Sequence, residues 1–322
     1  MTLNRFRAVA STGLLALTMG VGGSSASAFA HGADHSHGQV AEGEKKEAAI
    51  ATQKLNDHLS LLYGVDGFTG GNVLVSSGAD GLLMIDDKLA DVSPKLLAAL
   101  EPLGGADKVK FVINTHWHFD HVGGNAVLGG DAVILAHSNV RKRLSTEQRV
   151  DAFNMVLPPA PPQALPVVTY EDGVSVHFNG EEIRLIHYPA SHTDTDSVVY
   201  FTGSGVLHTG DLFFNGMFPF VDVQNGGDVK SLTANVAKLI ERFPAETKVV
   251  PGHGALATMA DFKTYHRMLV ETTAHVAGLI KAGKTLDDIK AAGVPKEWAP
   301  LSGAGFLNAA AWNSILYASL TQ

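Results

Sequence analysis

The residues with the clearest chemical potential lie in the segment 115–121, which reads T-H-W-H-F-D-H. Four of its side chains are of types that bind metals: His116, His118, Asp120 and His121. On an extended segment, residues two apart point the same way, so His116 and His118 can share one metal ion. The chain then turns, which directs Asp120 and His121 towards a second site. Without a cation this cluster would be repulsive at low pH and costly to desolvate, so the spacing predicts a metal centre.

Three further candidate ligands follow at larger intervals, each just past a predicted strand. His192 lies in P-A-S-H-T, Asp211 in H-T-G-D and His253 in P-G-H-G. In α/β folds, sites collect where loops leave the carboxyl ends of strands. Four ligand-bearing loops at four strand ends therefore predict one coherent site.

The elements that must position these loops are indicated by short apolar runs, which alternate with turn residues and helical patterns. Strands are predicted at 72–76, 82–86, 109–114, 132–136, 174–178, 182–188, 197–201, 206–209 and 247–250. Helices are predicted at 93–103, 121–128, 138–144, 229–243 and 259–282. Because strands and helices are interspersed, the pattern is typical of a layered α/β protein. The chain after residue 254 is predicted to be mostly helical.

Composition limits the classes of function. The chain has 322 residues, 45% hydrophobic and 17% charged, which is typical of a globular protein. It contains no cysteine, so disulfides, thiol catalysis and Cys-ligated zinc are excluded. Its net charge of −8 argues against nucleic acid as a partner, since phosphate binding needs clustered Lys and Arg. A small-molecule substrate is favoured, and no feature specifies an oligomeric state.

The N-terminus has the pattern of a targeting segment. Arg5 and Arg7 precede an apolar stretch at 8–21, and residues 28–30 form an A-x-A cleavage motif. The alternative, an uncleaved membrane anchor, is disfavoured because Gly and Ser interrupt the stretch, leaving it short of the ~20 apolar residues of a span. We expect export without an integral membrane segment, to the periplasm if the source is Gram-negative and otherwise by secretion.

This interpretation divides the chain into three parts. Residues 1–30 are expected to be the signal peptide, 31–55 a flexible leader and 56–322 the folded domain with its helical C-terminal extension. The leader carries His31, His35 and His37, which favour either a metal-capture tail or a plain solvated tail.

The motif H-x-H-x-D-H with downstream His, Asp and His resembles the metallo-β-lactamase superfamily, from about Asp66 to His253. The resemblance implies a four-layer αβ/βα sandwich with a dinuclear metal site at one edge. It also implies that His116, His118 and His192 hold one metal. Asp120, His121 and His253 would hold the other, with Asp211 bridging. Two zinc ions suit these nitrogen and oxygen ligands, while iron or manganese stay open.

Departures from individual branches of this superfamily leave the branch unassigned. Asp211 stands where the Cys-ligated β-lactamases carry their cysteine, and a bridging Asp is similar to glyoxalase II, lactonases and tRNA-processing nucleases. Phe214 stands where quorum-quenching lactonases have a Tyr. Residues 212–215 offer no cation for a β-lactam carboxylate.

The resemblance implies a hydrolase in which a metal-bound hydroxide attacks the carbonyl carbon of a lactone, thioester, ester or β-lactam. Asp120 would act as both ligand and catalytic residue, since it would orient the nucleophile. Two alternatives are an iron-dependent dioxygenase acting on persulfides and a non-catalytic periplasmic metal-binding protein.

Aromatic residues close to the ligands are candidates for a substrate pocket. They are Trp117, Phe213, Phe214, Phe218 and Phe220, together with Asn215 as an amide donor. Ordinary core packing explains them equally well, so both interpretations stay open. The resemblance also suggests that Asp86 or Asp87 supports the metal loop from outside, although either could be a turn carboxylate.

Overall fold

Alternating apolar residues along the strands build two sheets that pack face to face. The computed structural model describes residues 47–322. The first sheet has seven strands in the order β1-β2-β3-β4-β5-β6-β9. They are β1 (Ala49–Lys54), β2 (Leu59–Val65), β3 (Val73–Gly78), β4 (Gly81–Ile85), β5 (Val109–Ile113), β6 (Val133–His137) and β9 (Val168–Tyr170). Strands β1 to β4 pair antiparallel, and β4, β5, β6 and β9 pair parallel.

The second sheet has six strands that follow one another in chain order. They are β10 (Gly173–Phe178), β11 (Glu181–His187), β12 (Ser197–Phe201), β13 (Val206–His208), β14 (Lys248–Val250) and β15 (Ala257–Thr258). Only β13 and β14 pair parallel. A separate hairpin joins β7 (Gln148–Val150) to β8 (Met155–Leu157).

Helices cover the outer faces of both sheets. They are α1 (Ser93–Leu100), α2 (Phe119–Val122), α3 (Asn125–Leu128), α4 (Ser138–Leu144), α5 (Val229–Arg242), α6 (Met259–Lys281), α7 (Leu286–Ala292) and α8 (Ala309–Leu320). Among the helices of residues 47–322, none combines the length and apolar character that crossing a bilayer requires.

Because successive side chains of a strand point to opposite faces of the sheet, the hydrophobic core is divided into layers. In β4, Leu83 and Ile85 pack between the sheets, whereas Leu82 and Met84 face a cluster that includes Leu96 of α1. On the other side, β12 and β13 contribute Val198 and Leu207 to a cluster shared with α5, α6 and α8. The predicted four-layer αβ/βα sandwich is confirmed.

The nine predicted strands occur within one or two residues of their expected bounds, but six further strands were not predicted. Strand β1 lies inside the segment expected to be a flexible leader, and its six residues pair with β2 along their whole length. Most residues of this edge strand are solvent-exposed, and its second half reads T-Q-K. Its composition therefore does not distinguish it from a tail, although its backbone belongs to the sheet. The expected signal peptide and the leader histidines lie outside the described residues.

Candidate metal centre

The seven candidate ligands lie on four loops that leave the carboxyl ends of β5, β11, β13 and β14. The loop after β5 remains extended through His116 and His118 and then turns into α2, which carries Asp120 and His121. The other three loops bring in His192, Asp211 and His253. All seven donor groups meet in two adjoining clusters.

The first cluster contains His116, His118, His192 and Asp211. Asp211 Oδ2 lies 3.4 Å from His192 Nε2 and 3.8 Å from His116 Nε2. His118 enters through Nδ1, which lies 2.8 Å from His192 Nε2. Three imidazole nitrogens and one carboxylate oxygen therefore lie within 4.8 Å of one another.

The second cluster contains Asp120, His121 and His253. His253 Nε2 lies 3.3 Å from Asp120 Oδ2 and 3.3 Å from His121 Nε2. Asp211 reaches this cluster as well, because its Oδ1 lies 3.1 Å from His121 Nε2 and its Oδ2 lies 3.5 Å from His253 Nε2. Asp211 thus stands between the two groups, in the position expected of a bridging ligand.

Contacts on the outer side of the rings select which nitrogen of each imidazole faces the centre. His192 Nδ1 donates to the Phe220 carbonyl oxygen at 2.7 Å, since that oxygen can only accept. His118 Nε2 donates in the same way to Asp222 Oδ2 at 3.0 Å. Each ring then presents its other nitrogen, free of a proton, to the first cluster.

Asp86 fixes two more imidazoles at once. Its fully buried carboxylate lies 2.7 Å from His121 Nδ1 and accepts hydrogen bonds from the Thr115 amide at 2.7 Å and the Thr115 hydroxyl at 2.8 Å. Since that hydroxyl hydrogen is used, Thr115 Oγ1 accepts from His116 Nδ1 at 3.0 Å. His116 and His121 therefore both turn Nε2 towards the centre.

Of the two adjacent carboxylates considered from the sequence, Asp86 is the one that contacts the metal loop. Asp87 accepts only from the Gly124 amide at 2.8 Å, and its Oδ2 has no partner. Burial raises the pKa of Asp87 well above its usual value.

The electrostatics of the donors differ between the clusters. Burial lowers the pKa of His116 well below its usual value and that of His192 to about 4, so both rings are neutral at pH 7. Burial also acts on His121 and His253, but the carboxylates of Asp211 and Asp120 outweigh it. They raise the pKa of His121 well above its usual value and that of His253 to about 9. The second cluster thus holds protons that a cation would displace.

Two features indicate that these residues fit a divalent metal site. His116 Nε2 and Asp211 Oδ1 are buried atoms without a hydrogen-bond partner, although the second lies 3.1 Å from a His121 nitrogen. The proton-free nitrogens of His118 and His192 also face one another at 2.8 Å, which is repulsive unless a cation lies between them. An all-nitrogen and oxygen set of this type suits zinc, iron or manganese.

Two glycines give these donors the room they need. A Cβ on Gly252 would collide with Asp211 Oδ1, and one on Gly71 would collide with the His121 ring. Gly252 lies in the P-G-H-G segment directly before His253. The backbone of one ligand loop therefore packs directly against the carboxylate of another.

A cavity of about 830 Å³ opens from the metal donors, with His118, Asp120, Asp211 and His253 in its wall. The remaining wall is mainly apolar, and much of it comes from segments distant in sequence from the ligand motif. Its larger side chains are Leu61, Tyr63, Phe68, Phe119, Phe153, Met155, Met217, Phe220 and Phe306.

Five residues that the sequence suggested for the pocket do not line this cavity, so their interpretation as pocket residues is wrong. They are Trp117, Phe213, Phe214, Asn215 and Phe218. Phe213 packs on Phe262 and Tyr265, and Phe218 stacks on Trp312, because this segment is covered by the helical layer. Phe214 is buried and stacks on His253. Asn215 donates to the Ala255 carbonyl. Trp117 is buried beneath Arg143. Phe220, also considered, does line the cavity.

Two residues that support the site were not predicted. Asp222 accepts from His118 and also from Asn225 Nδ2 at 2.8 Å. Asp196 accepts from the amide and hydroxyl of Thr193, the residue after His192, at 2.8 and 2.7 Å. Burial raises the pKa of Asp196 to about 8. The T-D-T-D segment after His192 carries a signal for Asp196, since Asp three residues after Thr can close such a turn.

Comparison with known proteins gives one family. The profile of the metallo-beta-lactamase superfamily matches residues 65–253. The hydroxyacylglutathione hydrolase of Polaromonas sp. (strain JS666 / ATCC BAA-500) is 30% identical over 145 residues, 44% of this chain and 47% of that protein. The match thus spans about half the length of that relative.

Two further similarities extend this result. The hydroxyacylglutathione hydrolase of Gloeobacter violaceus (strain ATCC 29082 / PCC 7421) is 30% identical over 208 residues, 63% of this chain and 71% of that protein. A solved metallo-beta-lactamase from Pontibacter korlensis superposes with a TM-score of 0.56 at 20% identity, covering 69% of this chain and 99% of its own.

Proposed function

Since the chain belongs to the metallo-beta-lactamase superfamily, we propose that it is a metal-dependent hydrolase that cleaves an activated acyl bond in a small molecule. The bond is that of a lactone, thioester, ester or β-lactam. One observation carries the proposal: two donor clusters share Asp211 and open directly into a cavity large enough for a substrate. The names of the similar hydrolases agree with this reaction class.

We propose zinc as the resident metal, two ions per chain. His116, His118 and His192 would hold the first, Asp120, His121 and His253 the second, with Asp211 between them. When bound, such a pair supplies Lewis acidity and lowers the pKa of water from 15.7 towards about 7.

The chain's own residues supply orientation and exclude solvent. Asp86 and Asp222 hold three imidazoles in one tautomer, so the donors need no reorganisation during a reaction. Asp120 is a wall residue of the cavity, with Oδ2 at 3.3 Å from His253 Nε2. From there its carboxylate can accept a proton from a water and orient that water towards a carbonyl carbon. The apolar wall keeps bulk water away.

The test pairs metal analysis with turnover of a substrate panel containing one lactone, thioester, ester and β-lactam. His116→Ala and Asp211→Asn should each lower bound metal and reduce turnover at least 100-fold. His177→Ala, which replaces an exposed histidine on β10, is the matched control. Full turnover by the metal-stripped protein, or tight zinc binding without turnover of any ester or lactam, would contradict the proposal.

We further propose that the protein is exported, on the basis of the basic, apolar and A-x-A pattern of residues 1–30. Expression of the full chain followed by N-terminal sequencing of the extracytoplasmic fraction should give a terminus at His31. Retention in the cytoplasm with Met1 intact would contradict this.

A further inference from the structure

The cavity beside the metal donors has an aromatic rim, defined here as Phe68, Phe153 and Phe306. These residues come from three separate segments: the β2–β3 connection, the tip of the β7–β8 hairpin and the loop before α8. Phe153 lies 4.8 Å from the ring of Phe220 and 6.0 Å from that of Phe306. Phe68 stacks at 5.9 Å on His253, and Phe306 lies 6.5 Å from the same ring. The rim therefore lies beside one of the metal donors.

Exposure of these rings is unusual within the described part of the chain. Phe68, Phe153 and Phe306 are 57%, 38% and 49% exposed, and the other large exposed apolar side chains of residues 47–322 are all valines. None of those valines lines the cavity. Converging exposed aromatics mark a surface that buries an apolar ligand group.

The residues that line the cavity also limit the charge that the ligand can carry. Within residues 47–322, no Lys or Arg side chain lines it. Lys88 is fully buried and committed elsewhere, since its Nζ donates to the Gly71 carbonyl at 2.9 Å and to Thr69 Oγ1 at 3.3 Å. A negatively charged substituent away from the metals would therefore lose hydration without gaining a cationic partner.

The volume of the cavity is a third constraint on the ligand. The volume of about 830 Å³ lies in the upper part of the range for drug-sized ligands. Met155 and Met217 line it, and such flexible side chains adapt to chains of different shape. A short acyl group would leave most of this wall in contact with water.

We propose that the substrate is a neutral ester carrying a long apolar chain, and that the aromatic rim binds this chain while the ester bond lies at the metal donors. The proposal rests on the proposed function, whose substrate class it specifies. The rim residues are specificity-determining: they contact the chain and not the reacting atoms.

A series of methyl esters tests whether the cavity binds the apolar chain of the substrate. From butanoate to decanoate, kcat/KM should rise by up to about fourfold for each methylene that the cavity buries. Decyl acetate, compared with methyl decanoate, shows whether the acyl or the alcohol side occupies the cavity. Monomethyl sebacate has the same length as methyl decanoate but ends in a carboxylate, so its kcat/KM should be at least tenfold lower.

Variants test the rim. Phe153→Ala and Phe306→Ala should each raise KM for methyl decanoate about tenfold and leave methyl butanoate unchanged. Val270→Ala, which removes an exposed apolar side chain on α6 outside the cavity, should change neither. Thermal melts of each variant verify the fold.

Binding without turnover separates this proposal from the proposed function. In 3-dodecanone a methylene replaces the ester oxygen of methyl decanoate, so the molecule cannot be hydrolysed. It should displace the uncharged fluorophore N-phenyl-1-naphthylamine from the wild-type protein, and about tenfold more weakly from the two Phe variants. Ketone binding with no ester cleavage would support the rim site and contradict the hydrolase.

Three results would overturn the inference. The first is turnover that does not depend on chain length, and the second is equal use of methyl decanoate and its carboxylated counterpart. The third is a change of sedimentation in the Phe variants with ketone binding unchanged, because the rim would then be an interface between copies of the chain.

Discussion

Replacing Asp86 by Asn should weaken metal binding by removing the group that fixes the His121 tautomer. Asp86 is fully buried and accepts from the Thr115 amide, the Thr115 hydroxyl and His121 Nδ1 at 2.7–2.8 Å. Asn keeps the shape but supplies one accepting oxygen where the carboxylate has two. If the oxygen retains the Thr115 amide, the new NH₂ faces His121 Nδ1. That nitrogen then has to accept, which moves the ring proton to Nε2, the metal-facing atom.

The magnitude follows from this change of tautomer. Loss of an outer partner of a metal-binding histidine costs about 10–100-fold in metal affinity, or about 1.4–2.7 kcal/mol. Lost hydrogen bonds to a buried charged group add a cost of about 1.5–3 kcal/mol each to the free energy of unfolding. Two of the three contacts are lost if the oxygen retains only the Thr115 amide, so the metal-free protein should be destabilised by about 3–6 kcal/mol.

The neighbouring Asp87→Asn is the matched control. Both side chains are fully buried and adjacent, but the Asp87 side chain accepts only from the Gly124 amide and makes no hydrogen bond to a metal-site histidine. Its amide replacement keeps that acceptor and introduces no new charge. Zinc affinity in this variant should stay within about threefold of wild type.

Competition against a chromophoric zinc chelator gives the dissociation constants, and urea unfolding of the chelated proteins gives the stabilities. Equal zinc affinities for Asp86→Asn and Asp87→Asn would refute the assignment of Asp86 as the orienting group. A weaker metal-free fold with unchanged zinc affinity would show that Asp86 supports the loop without acting on the His121 tautomer.

Three further predictions concern the metal pair and the packing around it. Metal analysis of the purified chain should give two equivalents and His116→Ala fewer, whereas a single iron in the wild type would favour the dioxygenase alternative. Gly252→Ala should displace Asp211 and reduce turnover at least 100-fold. Gly278→Ala, which has open space in the last turn of α6, should instead raise stability by up to about 1 kcal/mol in a urea titration. Phe213→Ala should destabilise the fold by about 3–5 kcal/mol in the same assay without altering KM in the remaining folded enzyme, and a selective rise in KM would restore its interpretation as a pocket residue.

The candidate metal donors could be named from the sequence because their positions follow from local rules. The spacing of His116 and His118 matches the period of an extended segment, and His192, Asp211 and His253 each follow the end of a strand within five residues. Strand ends are shared points of a sheet, so the convergence of these loops needs no knowledge of side-chain packing.

Contacts between residues that are distant in the sequence could not be predicted in this way. Asp222 is separated from His118 by 104 positions and carries no motif. Strand β1 shows the same limit for the backbone, since its polar residues become part of the sheet only through pairing with β2. In both cases the interaction depends on which surface the partner presents, and local composition does not encode that.

The prediction of the pocket residues was wrong for a related reason. The same reason explains how the substrate specificity of such a site can change. Phe213 and Phe218 follow the ligand Asp211 closely, yet the chain turns them into the layer beneath α6 and α8. The aromatic rim of the cavity comes instead from connections between elements, including the tip of the β7–β8 hairpin and the loop that carries Phe306. The metal donors are fixed by the ends of a buried sheet, whereas the rim belongs to connections that tolerate substitution. Substrate choice can therefore vary while the seven donors stay in place, which is why the ligand motif identifies the metal chemistry and the rim has to identify the substrate.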